Sequence, residues 1–158
     1  MDRISSIKNN KTYIESMSYI YKSEEKRQFC LHGLEHSLDV ARIGYIINLE
    51  EGLGYKKDVI YAMALLHDIG RSREYKEQIS HHYAGAEIAE DILRQAGFME
   101  EEIKQICEAI ACHKHVDENK NLKYLLYKSD KLSRNCFNCK MYKECYWDEN
   151  LKNKEITY

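Results

Sequence analysis

Apolar residues recur at three- and four-residue spacing over most of this chain, and no segment of useful length alternates as a half-buried strand would. The pattern predicts a first helix over 12–28. A second, over 34–50, places His36, Val40, Ile43 and Ile47 on one face and stops at Gly52 and Gly54. A third covers 57–69 and ends at Gly70; within it Ile60, Ala64 and His67 line up, as do Tyr61, Leu65 and Asp68. A fourth covers 82–95, with Ile88 and Ile92 inward and Gly97 after it. A fifth, 100–113, carries the stripe Ile103, Ile106, Ile110, His113. A sixth, 122–133, carries Leu122, Leu126 and Asp130. The expected fold is all-α, a compact bundle of about six helices. Residues 135–158 are polar apart from three cysteines and a few aromatics. They are expected to form an extension packed on a single helical domain of residues 1–134.

Composition supports this picture and narrows the function. The 158 residues include no proline and seven glycines, so interruptions are few. The net charge of −2 is spread evenly, with no basic patch of the kind a duplex nucleic-acid binder needs. No stretch approaches the ~20 apolar residues of a membrane span. The start, Met1-Asp2-Arg3-Ile4-Ser5-Ser6, lacks the apolar core of a secretory signal. The expected location is the cytoplasm, with reduced thiols, so the six cysteines are read as metal ligands or buried hydrophobes rather than disulfides.

Several apolar stripes each carry one polar residue. An unpaired polar or charged side chain inside a protein costs several kcal/mol, so these residues need partners. Taken singly, His36 reads as a hydrogen-bonded core histidine and Asp130 as a salt-bridged carboxylate. The adjacent pair His67-Asp68 is harder to explain by packing. Neighbours on a helix point ~100° apart, so both reach one point only near a helix end. A shared cation would satisfy all four residues, and imidazole with carboxylate suits Mn, Fe, Co, Ni or Zn.

The ordered set His36, His67-Asp68, Asp130 resembles the HD-domain superfamily of metal-dependent phosphohydrolases. The surrounding runs His36-Ser37-Leu38-Asp39-Val40-Ala41-Arg42 and His67-Asp68-Ile69-Gly70 are similar to that family as well. The resemblance implies an HD-domain fold around a site with one or two divalent transition metals, Fe or Mn foremost, with Zn, Ni or Co as alternatives. Binuclear members add two histidines. Here His81-His82-Tyr83-Ala84-Gly85-Ala86 puts His81 in register and His82 one residue off. Ala109-Ile110-Ala111-Cys112-His113 supplies the second, and the stripe selects His113 over His115. By resemblance, His36, His67, Asp68 and Asp130 hold one metal, and His81 and His113 hold another with Asp68 bridging. The alternative is a mononuclear site with His81 and His113 outside it.

The implied chemistry is hydrolysis. A bound metal lowers the pKa of its water and supplies hydroxide for attack on phosphorus. Asp68, Arg71 and Lys131 are the expected catalytic residues. Arg71, Lys131, Arg134 and His32 are the expected substrate-binding set. The expected substrate is a small phosphorylated metabolite, foremost a nucleotide, cleaved at a phosphoester or phosphoanhydride. The Gly-Tyr-Pro signature of cyclic-di-GMP hydrolysing relatives is missing, and so are the long extra regions of dNTP triphosphohydrolases. The ligand pattern is shared with dinucleoside tetraphosphate hydrolases, but Asp130-Lys131-Leu132-Ser133-Arg134 and the cysteine tail depart from them. Two other readings stand beside hydrolysis: a diiron oxygenase on the same ligands, and a non-catalytic metal or nucleotide sensor. The sequence leaves oligomeric state open.

Cys136-Phe137-Asn138-Cys139 and Cys145 form a Cys-x2-Cys-x5-Cys run, and a minority of bacterial HD proteins look similar here. Three thiolates lack a fourth. Cys30 lies six residues before His36, and Cys136 six after Asp130. If those two helices are antiparallel and share a metal, both displacements run about 9 Å the same way. Cys30, Cys136, Cys139 and Cys145 could then hold Zn²⁺ or an iron–sulfur cluster. Cys107 and Cys112 read as buried hydrophobes.

Overall fold

The computed structural model describes residues 2–112 and 119–158. Among them are eight α-helices and no strand. In order they are α1 (Arg3–Lys8), α2 (Lys11–Glu24), α3 (Leu34–Glu50), α4 (Lys57–Leu66), α5 (Arg71–Glu77), α6 (His81–Gln95), α7 (Glu100–Cys112) and α8 (Leu122–Leu132). A 3₁₀ turn at Cys136–Asn138 follows. Side chains cap three of the helix starts. Asp2, Asn10 and Asn121 accept from the first free N–H groups of α1, α2 and α8.

Helix α4 is the centre of the bundle. It packs against α1, α3, α6, α7 and α8. Ile60, Ala62, Met63, Ala64 and Leu66 are wholly buried, so this helix is apolar nearly all round. Full burial of Ile60, Met63 and Leu66 stabilises by roughly 1.5–3 kcal/mol each. Helix α3 packs on both α4 and α8, which brings His36, His67 and Asp130 to one end of the bundle. No described helix is long and apolar enough to cross a membrane.

The all-α expectation is met, with eight helices instead of about six. Helix α1 is too short to show a stripe. Helix α5, RSREYKE, has Tyr75 as its lone apolar residue, so it carries no periodic signal. The first predicted helix ends early, at Glu24, because that side chain turns in to bond His32. The third ends at Leu66 instead of residue 69. There the backbone tightens, with Ile69 N–H donating to the Leu66 carbonyl and Arg71 N–H to that of Asp68. The fourth begins one residue early, at His81, and the sixth ends at Leu132.

Gly70 has a stronger reason to be glycine than stopping a helix. A Cβ there would lie 2.0 Å from the His81 carbonyl oxygen and 2.4 Å from the Gly85 nitrogen. The bare backbone lets the start of α6 close over the turn after α4. The residues after α8 fold back onto that helix: Asn153 donates to the carbonyls of Lys131 and Arg134, both at 2.7 Å. The Lys131 ammonium sits 4.9 Å from the Trp147 ring centre.

Candidate metal centre

The two adjacent ligands meet where α4 ends. The His67 Nε2 and Asp68 Oδ2 atoms lie 3.0 Å from each other. His36, on the first turn of α3, places its Nε2 3.3 Å from that of His67 and 3.6 Å from Asp68 Oδ2. Asp130, near the end of α8, places Oδ1 3.2 Å from His36 Nε2 and 3.9 Å from His67 Nε2. All four residues are buried. The ligand atoms of His36, His67 and Asp68 lie within 4.8 Å of one another, a spacing that could hold a metal ion.

The outer ring nitrogens fix which way each imidazole presents its lone pair. His67 Nδ1–H donates to the Ala64 carbonyl at 2.7 Å. The Ser133 hydroxyl donates to the Asp130 carbonyl at 2.7 Å, so at 3.2 Å it accepts from His36 Nδ1–H. His81 Nδ1–H donates to Glu74 Oε1 at 2.8 Å. In each ring Nε2 then points inward, with an acceptor behind it, the arrangement that orients histidine ligands. Two imidazole lone pairs 3.3 Å apart repel unless a proton or a cation lies between them. A divalent cation fits this donor set.

The charges within the site reinforce one another. Burial works against the charged form of Asp68, but His67 and Arg71 outweigh it and hold the carboxyl well below the usual range. Burial likewise opposes ionised Asp130, and His36 and His67 outweigh it in the same direction. Burial alone would lower His67; the neighbouring Asp68 and Asp130 raise it instead. His81 is pushed down by burial and by the Arg71 charge, which keeps its ring neutral. A proton and a metal ion therefore compete for the same place between His36 and His67.

Asp68 faces two ways. While Oδ2 meets His36 and His67, Oδ1 accepts from Arg71 Nε at 2.8 Å and lies 3.9 Å from His81 Nε2. His81 is buried and lines the site cavity; His82, half-buried, is not among the cavity residues. The second expected histidine, His113, lies outside the described residues, as does His115.

The expected substrate residues surround a cavity of about 220 Å³ that opens over Asp68, His81 and Asp130. Arg71, Lys131, Arg134 and His32 all line it. Lys131 Nζ is 3.4 Å from Asp130 Oδ2. Arg134 donates to the Leu31 carbonyl and addresses His36 Nε2 at 3.0 Å. His32 is tied down more firmly than expected. Its Nδ1 and backbone N–H bond the two oxygens of Glu24, at 2.5 and 2.8 Å, and Tyr75 donates to the same carboxylate at 2.6 Å.

Sequence reasoning missed Glu24, Glu74 and Tyr75. Glu24 was findable: Tyr13, Met17, Ile20 and Glu24 form one buried stripe of α2, the same signature that singles out His36. Glu74 and Tyr75 sit on α5, which has no periodicity to read. Arg27, Phe29, Tyr146 and Trp147 also line the cavity, and all come from segments outside the α-helices. The four cysteines of the expected sulfur site line a neighbouring cavity and are free of disulfides.

Comparison with known proteins agrees with this geometry. The model of the HD domain family matches residues 33–135. A protein of Clostridium beijerinckii, described as uncharacterized, is 44% identical over 158 residues, the full length of both chains. Ribonuclease Y of Mycoplasma mycoides is 34% identical over 89 residues, 56% of this chain and 21% of that enzyme. Ribonuclease Y of Mycoplasma capricolum is equally similar over 56% of this chain and 17% of its own length. No solved structure matches the chain significantly. With the family model spanning His36, His67, Asp68 and Asp130, the chain belongs to the HD-domain family, whose members are metal-dependent phosphohydrolases.

Proposed function

We propose that this protein hydrolyses a phosphoester or phosphoanhydride of a small phosphorylated metabolite, a nucleotide foremost. The observation that carries the reading is the makeup of one cavity. It is lined by Asp68, Asp130 and His81, by the cations Arg27, Arg71, Lys131 and Arg134, and by the aromatic residues Phe29, Tyr146 and Trp147. Carboxylate and imidazole suit a metal, guanidinium and ammonium suit phosphate oxygens, and an aromatic face suits a base.

His36, His67, Asp68 and Asp130 would hold one divalent metal. Asp68 Oδ1 and His81 would serve a second, with His113 as the remaining expected ligand. When bound, such metals supply Lewis acidity and a water activated near neutral pH. The chain's own residues do the rest. Arg71, held against Asp68, presents its outer guanidinium face to a phosphoryl group. Lys131, beside Asp130, neutralises further substrate charge, and Glu74 keeps the His81 ring aimed inward.

Ribonuclease Y, by its name, acts on RNA; the likeness over 89 residues supports the phosphoester chemistry rather than that substrate. The test is phosphate or nucleotide release from a panel of nucleoside mono-, di- and triphosphates, dinucleotides and a short oligoribonucleotide, with Mn²⁺ or Fe²⁺ supplied. A preferred mononucleotide or dinucleotide, with at least tenfold lower kcat/KM in Lys131→Ala, supports the reading. Cleavage confined to the oligoribonucleotide contradicts the small-substrate part. No release from any member contradicts the whole.

A further inference from the structure

Cys30, Cys136, Cys139 and Cys145 come from two distant parts of the chain, yet all four line a single cavity of about 240 Å³. None is in a disulfide. We propose that these four thiolates bind an iron–sulfur cluster beside the candidate metal centre. The claim stands apart from the hydrolytic reading, since it uses none of the His and Asp ligands.

Soft thiolates in a set of four select either zinc or an iron–sulfur core. The cavity that the four cysteines line, about 240 Å³, has room for a core of several iron and sulfide atoms, and this room favours the cluster over a single zinc ion.

Local structure and charge fit as well. The 3₁₀ turn, closed by Cys139 N–H donating to the Cys136 carbonyl, brings both ends of Cys-x2-Cys to one cavity. A cluster with four thiolates is anionic, and Arg134 and Lys152 line the same wall. The Lys152 side chain is 5% exposed, anchored on the Tyr142 carbonyl at 2.9 Å and on Glu149 at 2.7 Å. Cys30, Arg134, Cys145 and Trp147 also line the phosphoryl cavity, so the two sites share a wall. Arg134, in contact with His36, would feel the state of both.

The test is anaerobic purification of the full chain followed by assay of iron, acid-labile sulfide and zinc, with a visible spectrum. About four sulfide per chain are expected, matched by four iron beyond any held at the His/Asp site, with brown colour. Sulfide and colour should be lost in Cys139→Ser and Cys145→Ser, while Cys107→Ser and the double variant His67→Ala/Asp68→Ala keep both. Cys139 is exposed, so its replacement spares the fold, which circular dichroism checks. Sulfide is a readout that iron at the His/Asp site cannot mimic. One zinc per chain without sulfide, lost on Cys139→Ser, would overturn the cluster. Unchanged metal, sulfide and colour in both cysteine variants would overturn the site itself.

Discussion

His67 and Asp68 act on one point because the helix that carries them stops beneath them. His67 keeps helical backbone angles (φ −62°, ψ −32°), so the two side chains reach one point because it lies just past the helix end. The neighbours then decide what each atom does. Glu74 behind His81 is the clearest case, as its bond to Nδ1 sets the ring's tautomer. Glu74→Gln leaves room for the same contact but removes the charge. It is expected to weaken metal affinity 10–100-fold, read by titration of the apoprotein with Mn²⁺; an unchanged affinity would show that Glu74 does not orient His81. Asp68→Asn should cost more, because both carboxylate oxygens are committed, to Arg71 on one side and to His36 and His67 on the other.

The Glu24–His32–Tyr75 cluster links α2, the loop after it and α5. Burial opposes the Glu24 charge, but bonds from His32 and Tyr75 outweigh it and lower the carboxyl from its ordinary 4.5 to about 2. Burial pushes His32 down too, toward its neutral form. For Glu24, a depressed folded value means stability that is fully present above pH 4.5 and lost as pH falls through about 2. The His32 shift acts in the same direction, acid destabilising, beginning below 6.5. Urea midpoints measured from pH 7 to pH 3 should fall steeply in the native chain and less steeply in Glu24→Gln. Parallel slopes would contradict the assignment. Gly70 makes a second element-scale case. Gly70→Ala puts a methyl into the α6 backbone and is expected to cost about 3 kcal/mol or more. A near-native Tm in that variant would mean that α6 need not approach so closely.

At the scale of the whole molecule, the bundle and the buried polar residues it gathers were readable for one reason. Apolar stripes on α3, α6, α7 and α8 mark which side faces in, and His36 and Asp130 sit on those stripes. The same logic would have found Glu24. It could not find α5, where contacts with α2 and α6 stabilise a seven-residue helix that carries one apolar residue. Nor could it find the cavity wall made by Phe29, Tyr146 and Trp147, because segments without periodicity are placed by tertiary contacts alone. Gly70 was legible as punctuation but not as the point where two backbones meet. The cysteine spacing led to one cavity because α3 and α8 do pack together, which carries Cys30 and Cys136 to the same side.

Under the proposed assignment the bundle would converge on a cation, so binding one should stabilise all of it. A chelator should lower the Tm of the native chain, by a concentration-dependent amount equivalent to about 3 kcal/mol at a hundredfold excess of metal over Kd. It should leave His67→Ala/Asp68→Ala unmoved. The most direct measurement is the content of Mn, Fe, Co, Ni and Zn per chain, after subtracting iron matched by acid-labile sulfide, in the native protein and in that double variant. One or two divalent ions in the native chain and none in the variant are predicted. Equal content in the two would contradict the central claim that His67 and Asp68 are the heart of a metal site.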